Sequence, residues 1–406
     1  MLALGGSGPG CSAEGGAPTG DADAAADTAT DTDTVADAET DTAADTAPDS
    51  DPDTVADTDP DTDTDPDTDT ATDTAEPLTE FEQVVARYDL LTTAAGTGLI
   101  TDKSVSGWLP TYEGGPASAA ELSRPHMAQA DDAGVIYIAD KDAHAVRAVW
   151  TDGTIHTVAG TGAPGDDGDT PAVATTVRLD EPNGLQVQGD GTLYILDLGN
   201  EAIRKVTPGG VMTTLFRVEL GLATGRGLWV APDESSAFVA SGTWIARWTP
   251  SGGASVFATG FTDLGNLVVD PGGDLVVTDR GANRVYRVLA DGTKTAIAGS
   301  GATAGGGSGS RALESGLYGV RGIWFLDTGG YLLATHEGSQ VWYVDTDGIL
   351  HLFLAGQKGA HAGDGQYFRN PGAKVSEVRA VTVAPSGDVL VTEHDGGFVR
   401  VVHRRP

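Results

Sequence analysis

The sequence predicts an all-β fold, a six-bladed β-propeller that an N-terminal strand closes by completing the last blade. Three observations predict it. Glycine accounts for 57 of 406 residues, which suits short strands joined by tight turns. Six segments share one pattern of apolar strands and glycine turns. The sixth segment lacks its final strand, and a matching strand precedes the first.

The repeat unit contains a short apolar strand, a turn, a β-branched strand that ends near an acid, a second turn and a third strand. Most units continue through an Asp-Gly turn into a fourth strand that ends in Ala-Gly. Four antiparallel strands, repeated along the chain, are typical of a propeller blade. The six units comprise residues 124–149, 181–206, 225–248, 264–288, 320–344 and 378–402.

The closing strand is predicted from its likeness to the ends of other units. "DLLTTAAGTG" at 89–98 resembles "TVAGTG" at 157–162 and "AIAGSG" at 296–301, yet it precedes the first unit. The sixth unit stops at "VRVVHRRP" without a fourth strand. Pairing the two chain ends in one blade would remove two exposed sheet edges.

Composition divides the chain into residues 1–20, an Asp/Thr-rich linker at 21–78 and a propeller domain at 81–406. Residues 1–78 hold 22 of the 59 acids and no Lys or Arg. The linker is almost free of large apolar side chains, so we expect it to be disordered. Acidic character throughout the chain excludes nucleic acid as a partner.

Cys11 is the single cysteine, so no internal disulfide forms. Its context, "MLALGGSGPGCSAEGG", resembles the end of a bacterial lipoprotein signal. That resemblance implies lipidation of Cys11, a location at the cell envelope or extracellular surface, and membrane contact only through the lipid. The alternative is an unmodified cysteine.

Six equivalent positions at the start of the innermost strands are the candidate ligand-binding residues, and we call them the mouth ring. Long inter-blade loops fall on the same face, where repeat proteins usually bind their ligands. The mouth ring consists of His126, Asn183, Arg226, Gly265, Arg321 and Arg379.

Two interpretations of the ring arginines are open. The planar guanidinium suits carboxylate or phosphate, which indicates an anionic small ligand or an acidic peptide end. Alternatively, each arginine pairs with an acid at the end of a second strand and ties blades together. The strand-end positions are Asp140, Asp197, Ser241, Asp279, His336 and Glu393.

Two further groups of side chains recur beside these positions. An arginine follows three of the strand-end acids by seven residues, at Arg147, Arg204 and Arg400, and we interpret it as structural. Aromatic residues that could stack on sugars or anchor a partner lie in or beside the loops. They are Trp108, Tyr112, Tyr318, Trp324, Tyr367 and Phe368.

The motifs resemble those of the NHL-repeat family, most closely in residues 159–206. There the sequence combines "AGTGAPGDDGDTPA", "EPNGL", "GTLYILD" and "NEAIRKV". The resemblance extends over about residues 85–406. It implies a bacterial six-bladed propeller, and it does not fix the function, because propellers host unrelated activities.

Two six-bladed enzyme families supply the alternative function. "EPNGL" resembles the metal-binding motif of gluconolactonase-type enzymes, which would place Asn183 on the metal. "RPHM" resembles the first zinc histidine of the peptide-amidating lyase, at His126. A zinc site built from His126, His336, Glu393 and His394 is conceivable, although arginines around a divalent cation are electrostatically unfavourable.

These observations favour a monomeric, surface-tethered propeller that acts as a binding or scaffold module without a cofactor. Its partner would be a protein or an anionic small molecule. The alternative is a metal-dependent hydrolase or lyase that uses the channel mouth.

Overall fold

The computed structural model describes residues 76–99 and 105–406, and residues 1–75 and 100–104 lie outside the described part. Cys11 and all but the last residues of the acidic linker are outside it, so lipidation and disorder stay predictions from the sequence. In the described segments, no helix is long and apolar enough to cross a bilayer.

The described chain is all-β and forms six antiparallel sheets, one for each predicted blade. We number the blades along the chain and the strands in sequence order. Blade 1 contains β2 (Pro125–Ala130), β3 (Ile136–Asp140), β4 (Ala145–Val149) and β5 (Ile155–Ala159). Blade 2 contains β6 (Ala172–Val173), β7 (Pro182–Val187), β8 (Leu193–Asp197), β9 (Ala202–Val206) and β10 (Val211–Arg217). Blade 3 contains β11 (Leu228–Val230), β12 (Ala237–Ser241), β13 (Trp244–Thr249) and β14 (Gly253–Thr259).

The other three blades repeat this order, and the last one also takes a strand from the N-terminal side. Blade 4 contains β15 (Leu264–Val269), β16 (Leu275–Asp279), β17 (Arg284–Val288) and β18 (Lys294–Ala298). Blade 5 contains β19 (Val320–Phe325), β20 (Tyr331–Thr335), β21 (Gln340–Val344) and β22 (Leu350–Leu354). Blade 6 contains β1 (Tyr88–Ala95), β23 (Gln366–Tyr367), β24 (Val378–Val383), β25 (Val389–Glu393) and β26 (Phe398–Arg404).

Helical structure in the described residues is limited to one short α-helix and single turns of 3₁₀-helix. Helix α1 (Glu80–Ala86) starts with a capping box in which the Thr79 side chain and the Glu82 carboxylate satisfy each other's backbone N–H groups. The 3₁₀ turns are Pro110–Tyr112, Ala117–Ala119, Lys141–Ala143, Ala174–Thr176, Leu198–Asn200 and Ala312–Glu314.

The apolar core lies between the blades. Six clusters of buried side chains each join two neighbouring blades, including one between blades 6 and 1. The second strands β8, β16, β20 and β25 are buried along their whole length because a blade covers each of their faces. This explains why they read as continuous apolar runs and not as alternating ones.

Strand β1 closes the ring as the sequence predicts. It pairs antiparallel with β26, and Thr92 lies opposite Val401. Leu91 of this strand is fully buried in the cluster between blades 5 and 6. The first and last strands of the described propeller therefore belong to one sheet.

The innermost strands of neighbouring blades approach each other closely just after the mouth-ring positions. A Cβ atom on Gly184 would lie 2.5 Å from the carbonyl oxygen of Arg226, and one on Gly322 would lie 2.9 Å from the Val381 nitrogen. Only glycine permits such backbone contact. The mouth ring lies at the end of the channel where the innermost strands begin.

Candidate functional site

The mouth ring is built on β-bulges. In five innermost strands the ladder to the second strand slips at the ring position, as between Val378 and Ala380 and between Pro125 and Met127. A bulge residue is left out of the ladder, and its side chain can be redirected. Arg226 lies just before the short strand β11. The five ring positions that carry a side chain are all buried, with exposed fractions of 2% to 5%.

The strand-end acids do not hold the ring arginines. Asp140 contacts Arg147 (3.2 Å) and Asp197 contacts Arg204 (2.8 Å). Each acid also accepts a backbone N–H from the preceding inter-blade loop, as Asp140 does from Ser123 (2.6 Å). The interpretation that these acids tie the ring arginines between blades is therefore wrong, and the structural interpretation of the seven-residue spacing is confirmed.

Glu393 and Asp279 show the same separation from the ring. The Glu393 carboxylate contacts Arg400 (3.2 Å) and His361 (2.5 Å). Asp279 accepts the backbone N–H groups of Thr262 and Asp263, both at 2.9 Å. Glu393, the one acid of the conceivable zinc site, is thus engaged elsewhere.

Three histidines from blades 1, 5 and 6 come together at the mouth ring: His126, which belongs to it, and His336 and His394 beside it. The ring centroids of His126 and His394 are 4.5 Å apart, and those of His336 and His394 are 6.1 Å apart. His336 follows the end of β20, because Thr335 is the residue that lies opposite Val320. His336, which the sequence placed at a strand end, therefore lies one residue beyond the end of β20, and His394 occupies the equivalent turn position after β25.

Several buried polar atoms of this cluster make no hydrogen bond with a described residue. His126 is 4% exposed, and neither of its ring nitrogens has a partner there. Asn183 donates from Nδ2 to the Gly225 carbonyl (2.7 Å), but its Oδ1 is buried and accepts nothing. An unsatisfied buried polar group costs about 1–3 kcal/mol, so several in one place indicate a site for polar ligand atoms.

The contact of Arg124 fixes the tautomer of His394. Arg124 Nε donates to His394 Nε2 at 3.0 Å, and a guanidinium is always a donor. Nε2 must then accept, so the proton of the neutral ring is on Nδ1. That N–H is buried and has no acceptor among the described residues. The cluster therefore presents a donor that requires an electronegative ligand atom.

Burial and neighbouring cations both lower the pKa values of these histidines. Burial lowers the pKa of His126 well below its usual range, and the charges of Arg379 and Lys141 lower it further. Burial likewise lowers the pKa of His394 well below its usual range, with Arg379 as the next cause. Both rings are neutral at physiological pH, and the positive charge comes from arginine and lysine side chains.

Acids are present on the blade 5 side of the ring. Glu337 Oε1 lies 3.4 Å from Arg321 Nη2 and 3.5 Å from His336 Nδ1. Burial alone would raise the pKa of Glu337, but the hydrogen bond and charge of His336 together with Arg321 lower it to about 2. A second acid, Asp395, lies 3.5 Å from His336. The charge of Arg321 is therefore partly offset by nearby carboxylates.

These residues do not fit a divalent metal ion. The charges that most affect the pKa of His126 are those of cations, which oppose binding of a second positive centre. No group of three or more His, Cys, Asp or Glu side chains with the geometry of a metal site occurs within 76–99 and 105–406. The resemblance to metal-dependent enzymes therefore does not extend to a ligand set in the described chain.

The sequence did not single out several residues of this cluster. Arg124 lies two positions before the ring residue His126, and its φ of 58° is in the left-handed region, as in Glu181 and Glu377 at equivalent positions. A charged residue two positions before the mouth-ring position therefore recurs in three blades, and this pattern in the sequence could have identified Arg124. Trp324, expected near the loops, lies instead near the end of β19, at the opposite end of the channel.

Comparison with known proteins supports the fold and leaves the activity open. No protein-family model matches the sequence. Teneurin-3 from Danio rerio is 40% identical over 89 residues, which is 18% of this chain and 3% of that protein. The chain therefore matches only a small part of this relative's length.

Three solved structures from Bacteroides resemble the chain over most of its length. A protein of unknown function from Bacteroides thetaiotaomicron has a TM-score of 0.60 at 14% identity, over 77% of this chain and 74% of its own. An auxiliary nutrient binding protein from the same species has a TM-score of 0.57 at 11% identity, over 78% and 76%. Its counterpart from Bacteroides ovatus has a TM-score of 0.56 at 12% identity, over 79% and 78%. These similarities show that the chain has the fold of six-bladed β-propellers.

Proposed function

We propose that this protein is a binding propeller that captures a small organic anion at the mouth ring. The observation that carries the proposal is the His394 Nδ1–H, a buried donor without an acceptor among the described residues, with Arg379 and Arg124 as neighbouring cations. A carboxylate or phosphate oxygen satisfies that donor and the positive field together. Asn183 Oδ1 would accept a hydrogen bond from a hydroxyl of the same ligand.

The wider assignment rests on sequence and on the names of similar structures. The NHL-type motifs of residues 159–206 support an NHL-repeat propeller. Two structurally similar proteins are nutrient binding proteins, and that description is compatible with a ligand-capturing role here. Tethering to the cell surface through Cys11 is part of the same proposal and rests on the N-terminal sequence alone.

A panel of small anions tests the proposal. Citrate, malate, gluconate, glucose 6-phosphate and inorganic phosphate would be screened by thermal shift, and hits measured by isothermal titration. Arg379→Gln should weaken binding about tenfold to a hundredfold, because a charged hydrogen bond contributes about 1.5–3 kcal/mol.

Arg311→Gln is the matched control. Arg311 is exposed and lies in the loop before blade 5, so this variant should bind as tightly as the wild type. Circular dichroism would show that both variants fold. The proposal is wrong if no anion stabilises the protein, or if Arg379→Gln binds the hits with unchanged affinity.

The enzyme alternative requires a bound metal ion. A hydrolase or lyase of the kinds suggested by "EPNGL" and "RPHM" needs a stoichiometric divalent ion. Metal analysis of the purified full chain, before and after chelation, separates the two. One tightly held zinc or calcium whose removal lowers the melting temperature would favour the enzyme and count against anion capture.

A further inference from the structure

A second cavity occupies the end of the channel opposite the mouth ring. We call it the far cavity; its volume is about 360 Å³, and residues of the innermost strands of five blades line it, mostly from the second half of each strand. This volume is at the small end of the range for small-molecule sites, about 300–1,000 Å³.

The wall of the far cavity is held rigid by two glutamines. Gln129 donates to the Leu185 carbonyl (3.0 Å) and accepts from the Val187 nitrogen (2.9 Å). Gln186 makes the same pair of bonds to both backbone groups of Val230, at 2.9 and 2.6 Å. Each amide thus bridges two blades. The cavity is preformed, so binding of a ligand would cost little conformational entropy of the cavity wall.

Aromatic side chains supply the apolar surface. Trp229, Trp324 and Phe325 line the cavity, and all three are half-buried. The indole N–H groups of the two tryptophans make no hydrogen bond with any residue in the described part of the chain. Tryptophan offers a broad apolar face and a donor at its edge, a combination that suits a ring with polar substituents.

One buried amide adds a directed donor. Asn266 is 5% exposed and contributes to the lining. Its Oδ1 accepts the Leu267 backbone N–H at 2.8 Å, which assigns the amide orientation and leaves Nδ2 as the free end. Nδ2 donates to no described residue.

The far cavity carries little net charge. Asp270 is the acid in its lining, and its Oδ2 lies 2.9 Å from Arg287 Nη2. Its Oδ1 accepts backbone N–H groups from Gly272 (2.9 Å) and Asp274 (3.0 Å). The carboxylate is therefore neutralised, in contrast to the positive field at the mouth ring.

We propose that the far cavity binds a neutral sugar of one or two rings. The C–H face of the sugar would stack on Trp229 or Trp324, and its hydroxyl oxygens would accept from Asn266 Nδ2 and the indole N–H groups. An anion finds no uncompensated cation among the cavity residues described above. The site is independent of the mouth ring and adds a second ligand class to the same propeller.

Titration of the full-length protein with neutral sugars tests this assignment. Glucose, galactose, maltose and cellobiose would be followed by tryptophan fluorescence and isothermal titration, with indole as an aromatic probe. At least one sugar should bind saturably and change the fluorescence. Trp324→Leu should weaken it about tenfold, since a stacking contact contributes about 0.5–1.5 kcal/mol beyond the apolar area that it buries.

Matched variants make the result specific. Trp150→Leu removes an exposed tryptophan from the end of blade 1 and should leave sugar affinity unchanged. Asn266→Asp keeps the Oδ1 acceptor for Leu267 but removes the Nδ2 donor, so it should weaken binding even if Trp324→Leu does not fold. Arg379→Gln should leave sugar binding unaltered, which separates this proposal from anion capture.

Three outcomes would overturn the assignment. The first is that none of the sugars binds. The second is that only indole binds, which would identify an aromatic site. The third is that sugar affinity is the same in Trp324→Leu and Asn266→Asp as in the wild type.

Discussion

At the scale of single residues, two classes of buried arginine do different work. Arg147, Arg204 and Arg400 lie in third strands and are each paired to an acid at the end of the second strand. These pairs also fix the inter-blade loops, because the same acids accept loop N–H groups. Of the mouth-ring arginines, Arg321 and Arg379 lie at bulges and Arg226 precedes β11, and the charges of Arg379 and Arg226 lower the pKa of His126.

Loss of one partner from a structural pair should be strongly destabilising. Arg204 is 1% exposed and Asp197 is fully buried, so Arg204→Met leaves a carboxylate in the interior without its guanidinium. We expect the free energy of unfolding to fall by about 3–5 kcal/mol in urea denaturation. The double variant Arg204→Met/Asp197→Asn should recover most of that loss. Equal instability of the single and double variants would contradict the role of the pair.

The buried histidines make stability depend on pH. Burial lowers the pKa of His126 in the folded state. Below about pH 6.5 the unfolded chain therefore binds a proton at this histidine that the folded chain does not bind. Stability is therefore full above pH 6.5 and decreases as the pH falls further. Lowering the pH from 7.5 to 5.5 should cost the wild type about 1.4 kcal/mol more than His126→Gln. Urea unfolding at the two pH values measures this, and identical losses in both proteins would refute it.

At the scale of elements, β1 joins the two ends of the propeller. Its pairing with β26 covers a sheet edge that would otherwise be open, and α1 packs the same segment against blade 5 through Phe81 and Val84. The loops before blades 2 and 6 contribute β6 and β23 to the outer edges of those blades. Edge strands covered in this way offer no template for unwanted pairing.

A core substitution in β1 should weaken the whole propeller. Leu91 is fully buried and Leu90 is 39% exposed, which makes them a matched pair on one strand. Leu91→Ala should lower the free energy of unfolding by about 2–5 kcal/mol in a single transition. Leu90→Ala should change it by less than about 0.5 kcal/mol. A separate early transition in Leu91→Ala would mean that β1 unfolds without affecting the ring.

At the scale of the whole molecule, repetition made the architecture predictable. Six copies of one pattern determined the number of blades, and the misplaced "DLLTTAAGTG" determined how the ring closes. The same register located the ring residues, since equivalent positions in a repeat must lie at one end of the channel. The seven-residue spacing of Asp140 and Arg147 also translated directly into a contact, because both residues lie on paired strands.

Other features depend on contacts between blades, which a linear pattern does not contain. The tautomer of His394 depends on Arg124, which is distant in sequence and lies in blade 1. The far cavity combines side chains from five blades, although its tryptophans share one repeat position, three residues after Arg226 and Arg321. The assignment of His336 to a strand end failed by one residue, because Thr335 replaces the acid at that position.

The two channel ends give the molecule two surfaces of different chemistry. One end concentrates arginine, lysine and neutral imidazole, and the other end is aromatic with compensated charge. The first of these ends, the mouth ring, is the proposed site of anion capture.

Histidine side-chain NMR tests that claim most directly. The chain has eight histidines, so imidazole signals of histidine-labelled protein are few, and His126→Gln and His394→Gln assign the two that matter. If the anion binds at the mouth ring, we expect the best anion from the panel to shift the His126 and His394 signals saturably and to leave those of His351 and His403 in place. A bound anion that leaves both ring signals unchanged, or shifts only those of His351 or His403, would contradict it.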